Sequence, residues 1–264
     1  MKSGIYPNVN FKDYLAIKAV SNSYLGRLDK CPAAALVKQE DTPSLILGRA
    51  VHKLVLEGIE AFSSEFANAP TCDRRTKEGK AIWAETLLRN EGKHLLSADD
   101  WLKVYAIYKA VKAHPRATEV LAENVTEQTC VWTDKETGLL CKIRPDSVPD
   151  AGKMALVDLK TCADASEDGF TRSIVKYGYA RQAALYLDGY NAVTRSNADA
   201  FIFMAVEPDE PYRTEVYLLD NEFIKYGREK YRWLLEKEKR CRAEKSYPHY
   251  STPNIVQLYK PAYL

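Results

Sequence analysis

CKIRPDSVPDAGKMALVDLKT, residues 141–161, contains two apolar-rich runs, and each carries an acid near its end, Asp146 and Asp158. Lys160 follows the second acid after a single spacer. The segment 155–160 reads as a buried strand, on which Asp158 and Lys160, two positions apart, project from the same face. Asp146 is read as the end of the preceding strand. If the two strands are neighbours, both carboxylates converge at one sheet edge. Two close carboxylates repel and take up a proton unless a cation neutralises them. Oxygen ligands of this kind suit Mg²⁺, with Mn²⁺ as a substitute. A lysine beside them orients or deprotonates an attacking water and stabilises developing negative charge, a combination that fits phosphodiester hydrolysis. The bland alternative is that an acid-spacer-lysine triplet is an exposed ion pair, which contributes little.

Outward from this stretch, "TEQTCVWT" (126–133) and "LLCKIRPDSV" (139–148) read as strands joined by the loop "DKETG", with Gly138 at a turn position, and "MALVDLKT" (154–161) as a third strand. A helix is expected over 170–190, then strands "ADAFIFMAVE" (198–207) and "RTEVYLLD" (213–220), then a long charged helix over 222–245. Upstream, helices are expected near 21–35, over 45–57, 76–89 and 97–113, with Thr76 and Ser97 as N-caps and Glu91-Gly92 as a stop. This order predicts an α/β (α+β) layered fold, a central mixed β-sheet flanked by helices. One domain is expected over 1–264, with 1–120 mainly helical and carrying His52, and 121–264 holding the sheet and the catalytic core.

Composition sets wide bounds. Hydrophobic residues make up 46% of the 264 residues and charged residues 28%, with a net charge of +2. Binding to a polyanion must then come from local patches. No apolar run is long enough for a membrane span, and the N-terminus lacks the apolar core of a signal peptide. These features predict a cytoplasmic protein with no membrane partner. The six cysteines, without a CxxC pair, read as free thiols of a reducing compartment.

Two further features bear on the acids. His52 lies in an apolar helical segment, where a histidine is more often a packed core residue than a ligand. Gln182 and Tyr186 are four apart in "YARQAALYLDGY" and share a helix face. The tyrosines Tyr179, Tyr186 and Tyr190 read by default as core packing, whereas a glutamine among apolar residues is harder to place there.

Taken together, His52, Pro145-Asp146, Asp158-Leu159-Lys160 and Gln182 with Tyr186 resemble the PD-(D/E)xK nuclease superfamily, with its restriction-endonuclease-like core, in the subgroup of RecB-type nuclease domains and phage exonucleases. The blocks "GIYPNVNFKDY", "VSNSYL", "LGRAVHKLVLE", "RRTKEGK", "ETGLLCKIRPD", "VDLKTCAD" and "QAALYLDGY" are similar, in the same order, to the RecE (exonuclease VIII) nuclease-domain family. The resemblance implies a Mg²⁺-dependent exonuclease that degrades linear double-stranded DNA in the 5′-to-3′ direction and leaves 3′ tails for strand annealing. It implies a toroidal homotetramer and a RecT-type single-strand annealing partner. It assigns His52, Asp146, Asp158 and the Leu159 carbonyl to metal, Lys160 to the attacking water, and Gln182 and Tyr186 to support of the site and contact with DNA. Some relatives hold an iron–sulfur cluster on four cysteines. Here Cys31 in "DKCP" is matched near the C-terminus by Cys241 alone, so no cluster is expected.

"CDRRTKEGKAIW" sets Arg74, Arg75, Lys77 and Lys80 at a helix start, a combination that suits a DNA phosphate; the alternative is a solvated loop. The charged C-terminal helix reads mainly as a solvated face. Three other readings stay open: a structure-specific or single-strand nuclease on the same fold, a non-catalytic DNA-binding recombination scaffold, and an unrelated globular protein whose acids are surface ion pairs.

Overall fold

In the computed structural model, residues 1–7, 9–38, 40–122, 124–149, 155–250, 255, 257 and 259–260 are described. The first part contains β1 (Gly4–Tyr6), α1 (Phe11–Ala16), α2 (Asn22–Lys30), α3 (Pro32–Ala35), α4 (Pro43–His52), which runs on as a π-helical turn over Lys53–Glu57, and α5 (Gly58–Glu65). β2 (Phe66–Asn68), α6 (Lys77–Arg89), β3 (His94–Leu96), α7 (Ala98–Ala113) and α8 (Pro115–Leu121) follow. The second part contains β4 (Asn124–Thr126), β5 (Thr129–Thr133), β6 (Leu140–Ile143), β7 (Ser147–Pro149) and β8 (Ala155–Thr161). It ends with α9 (Glu167–Tyr177), α10 (Tyr179–Thr194), β9 (Ala200–Val206), β10 (Thr214–Leu218) and α11 (Asn221–Glu244).

The central sheet has the order β10-β9-β8-β7-β4 and is mixed. β8 runs parallel to β9 over seven pairs, from Ala155↔Ala200 to Thr161↔Val206, and antiparallel to β7 at the single pair Ser147↔Val157. A smaller antiparallel sheet has the order β1-β5-β6, and β2 pairs with β3 in parallel. This is the mixed sheet flanked by helices that the sequence predicts.

Alternation along β8 and β9 divides the protein into two cores. Leu156, Phe201, Phe203 and Ala205 face a core completed by α2, α9, α10, α11 and the small sheet. Val157, Leu159, Met204 and Val206 face one completed by α4, α5, α7 and α8. A strand buried on both faces reads as continuous apolar sequence, which is why β8 and β9 are visible without a structure. α7 shows the complementary logic: Val104, Ile107 and Val111 form one buried stripe, and Ser97 caps it by accepting from Asp100 N at 3.1 Å.

Four expected elements divide. The run 139–148 is two strands in two different sheets, parted at Arg144-Pro145-Asp146, so Asp146 does not end a strand but lies in the bend that leads into β7. The run 126–133 parts at Glu127, whose φ of 58° leaves the strand region. The helix near 21–35 breaks at Cys31, held extended (φ −165°) ahead of Pro32. The helix expected over 170–190 is two helices joined at Gly178, which adopts φ 70°, ψ 39°.

Lys142 on β6 is buried. Its ammonium donates to the carbonyls of Tyr14 (2.6 Å) and Ile17 (2.9 Å) and lies 4.4 Å from the Tyr14 ring centroid, tying the end of α1 to the small sheet. α10 and α11 cross at Gly227, where an added Cβ would stand 2.0 Å from the Ala180 carbonyl oxygen.

That crossing predicts that Gly227→Ala forces the helices apart and costs about 1–3 kcal/mol, seen as a lower Tm; an unchanged Tm contradicts it. Burial pushes the Lys142 pKa down to about 8, below its unfolded value of about 10.4. The unfolded chain therefore binds the extra proton between those values, and stability rises with pH across that window. Urea unfolding from pH 8 to 10 is expected to show the wild type gaining on Lys142→Met; parallel curves refute this.

Candidate active site

The site lies where β8 loses its neighbour. Among the described residues β7 pairs with β8 at Val157 alone, and the β8 edge from Asp158 onward has no strand partner on that side. The Leu159 N–H at this edge donates to Asp146 Oδ2 at 2.7 Å. The bend at Pro145-Asp146 thus sets its carboxylate where the next strand partner would be. In an extended strand a residue's N–H and carbonyl leave by the same edge, so the Leu159 carbonyl faces this side too.

Four more side chains close around the edge, from both layers. His52, the last residue of α4, sets Nε2 3.0 Å from Asp146 Oδ2 and Nδ1 2.8 Å from the Gly48 carbonyl oxygen. With an acceptor at each nitrogen the ring is placed to be a doubly protonated donor. From the opposite layer, Gln182 on α10 donates through Nε2 to Asp158 Oδ1. Lys160 forms an ion pair with Asp158 Oδ2 and lies 4.9 Å from the Tyr179 ring centroid. Tyr186 is buried on α10, T-shaped against Phe201.

The charges compensate in pairs. Burial pushes the His52 pKa down, but Asp146 and the Gly48 carbonyl outweigh it and raise it to about 9. Burial pushes Asp146 up, yet His52, Lys160 and the Leu159 N–H hold it below the usual carboxylate range. Asp158 goes the other way: burial and Asp146 outweigh Lys160 and raise it to about 6. Burial lowers Lys160, while Asp158 and Asp146 more than restore its proton. Carboxylates pushed apart in this way make the cluster a candidate functional site, although structural ion-pair networks shift pKa values in the same manner.

Asp158 Oδ2 is buried, and among the described residues its partner is the Lys160 ammonium, an ion pair without regular hydrogen-bond geometry. Among the described residues no three His, Cys, Asp or Glu side chains are gathered to hold a metal. Two carboxylates and the Leu159 carbonyl are nonetheless the all-oxygen set that Mg²⁺ takes, with water completing its shell. The under-satisfied Asp158 oxygen is the feature such an ion would satisfy. As the structure stands, His52 is a partner of Asp146, and His52 and Lys160 supply the positive charge.

The structure therefore brings together His52, Asp146, Asp158, Leu159, Lys160, Gln182 and Tyr186. The basic group does not join them. Arg74 lies over Trp83, 4.2 Å from its ring centroid, Arg75 pairs with Asp73, and Lys77 and Lys80 are exposed on the first turn of α6. Three residues near the site carry no signal in the sequence. Glu127 forms an ion pair with Arg144, and its N–H donates to the Asp146 carbonyl at 3.2 Å, so this pair brackets the bend. Tyr179, read as core packing, does pack against Phe170 and Phe203 of the core and is also the ring beside the Lys160 ammonium.

A family model described as a PDDEXK-like domain of unknown function (DUF3799) matches residues 21–254. No curated protein matches the chain. A crystal structure from Eubacterium rectale, described as that of a candidate exonuclease, shares the fold at a TM-score of 0.65 and 15% identity, covering 97% of this chain and 96% of its own. A second crystal structure, of SSO0001, covers 86% of this chain and 88% of its own at 15% identity with a TM-score of 0.28, too low to bear on the fold. The sequence motif, the mixed sheet that carries it and a family match from α2 to the C-terminal segment agree, and the chain belongs to the PDDEXK-like domain family.

Proposed function

We propose that this protein is a divalent-metal-dependent exodeoxyribonuclease that degrades linear double-stranded DNA from the 5′ end and leaves 3′ single-stranded tails for strand annealing. One observation carries the hydrolytic part: Asp146 and Asp158 meet at the open β8 edge beside Lys160, with one Asp158 oxygen buried and under-satisfied. Mg²⁺ bound there supplies positive charge to the scissile phosphate.

The chain's own residues do the rest. Asp146 and Asp158 lie close enough for each to act on the other's charge, and the Leu159 N–H and Gln182 fix their orientation. Lys160, half-buried with its ammonium against Asp158, is placed to hold the attacking water and to stabilise charge that develops on the phosphate. His52 holds Asp146 in the ionised form. Arg74, Arg75, Lys77 and Lys80 offer phosphate contacts away from this centre. The direction of digestion, the toroidal homotetramer and the RecT-type annealing partner rest on the resemblance of the whole chain to RecE-type nucleases; the choice of Mg²⁺ rests on that resemblance and on the oxygen ligands, and the cytoplasmic location on the sequence features alone.

A nuclease that cuts internally would use the same centre, and a covalently closed substrate separates the two. With Mg²⁺ the wild type is expected to consume linear duplex and spare covalently closed duplex; EDTA or Asp158→Ala abolishes this. Cutting of the closed circle contradicts an end-dependent enzyme, and a fully active Asp158→Ala contradicts the site. Lys160→Ala is expected to lower kcat by about 10²–10⁴-fold; a loss in KM alone would make Lys160 a binding residue only.

A further inference from the structure

Beside Lys160 a run of aromatic rings leaves the core. Phe201 and Phe203 of β9 lie 4.9 Å apart between centroids, Phe203 lies 5.6 Å from Tyr179, and Tyr179 stacks on Tyr177 at 5.7 Å and 30°. The first two are fully buried, and Tyr177 is 53% exposed. The same Tyr179 ring lies under the Lys160 ammonium. The exposed ring is thus two contacts from the proposed catalytic lysine.

The platform is fixed rather than loose. Tyr177 ends α9, Tyr179 begins α10, and Gly178 between them takes the left-handed conformation, φ 70°. An added Cβ at Gly178 would stand 2.7 Å from Arg181 Nη1. Arg181 is itself buried, its Nε donating to Asn22 at 3.0 Å and its Nη1 lying 3.7 Å from Asp29. The turn that aims both tyrosines is therefore braced from below.

An exposed ring beside cations is how single-stranded nucleic acid is held: bases stack on the ring and cations take the phosphates. Here Lys176 Nζ lies 5.1 Å from the Tyr177 centroid, and Arg172, one turn earlier on α9, has a side chain 72% exposed that pairs loosely with Asp164 at 3.6 Å. An apolar protein partner would gain little from a ring bordered in this way.

We propose that Tyr177 is a stacking platform for a nucleobase of the strand whose scissile phosphate lies at Lys160, with Lys176 moving from the ring face to an adjoining phosphate. This rests on the nuclease reading above. It assigns Tyr177 a substrate contact that none of the residues of the catalytic motif provides.

The test uses an oligonucleotide carrying 2-aminopurine, whose fluorescence falls when the base stacks, titrated in EDTA so that nothing is hydrolysed. Tyr177→Ala is expected to weaken binding roughly tenfold, to lose the quench, and on linear duplex with Mg²⁺ to raise KM more than it lowers kcat. Tyr177→Phe keeps affinity and quench, and Tyr177→Leu keeps neither. Thermal melts establish that the variants fold. Wild-type binding and quench in Tyr177→Ala overturn the proposal. Equal losses in Tyr177→Ala and Tyr177→Phe replace stacking by a hydroxyl contact and overturn it too. A wild type that neither binds the oligonucleotide nor degrades DNA overturns the nuclease reading itself, and the platform with it.

Discussion

The hydrogen bond from the Leu159 N–H to the Asp146 carboxylate is the constraint on which the site depends. A strand in the middle of a sheet normally spends its N–H groups on its neighbours. β8 does so toward β9 along its whole length but toward β7 only at Val157. The side chain of Asp146 takes the place of a missing strand. That substitution brings one carboxylate to the edge from which Asp158 and Lys160 project. It also requires the chain to leave the small sheet at Arg144, turn at Pro145 and enter the central sheet at Ser147, which is why the predicted strand 139–148 had to divide. The Arg144–Glu127 ion pair and the Glu127 N–H hold the two sides of that turn.

The second constraint is charge. Two carboxylates buried side by side are costly, and removing one partner from such an arrangement typically costs about 3–5 kcal/mol. His52 answers Asp146 from one layer of the protein, Gln182 answers Asp158 from the other, and Lys160 answers Asp158 from β8 itself. The site is therefore a seam between two cores, and neither helical layer can move without disturbing it. Asp158 Oδ2 has the Lys160 ammonium as its partner and no hydrogen bond of regular geometry, so a bound cation would share that oxygen with Lys160.

Much of this was legible in sequence because the features are local. β8 and β9 show as continuous apolar runs, Thr76 and Ser97 cap their helices through contacts three residues away, and Asp158 and Lys160 share a face by alternation alone. Gln182 stood out because a core helix has little use for an amide unless something polar faces it, and Asp158 does. The rest depends on distant chain. β1 pairs with β5 across more than a hundred residues, and the apolar pattern over 170–190 runs through Gly178 without marking the break. Tyr177 and Tyr179 look alike in sequence, yet one lies under Lys160 and the other faces solvent. The four basic residues at the start of α6 were legible as a cluster, and the contacts that Arg74 and Arg75 make are local, to Trp83 and Asp73.

The most direct test of the account is where a metal binds. Crystals soaked in Mn²⁺, measured at a wavelength where manganese scatters anomalously, are expected to show a peak contacted by the carboxylates of Asp146 and Asp158 and by the Leu159 carbonyl, absent from Asp158→Ala. A peak elsewhere, or the same peak in the variant, would contradict the claim that the open β8 edge is the catalytic centre.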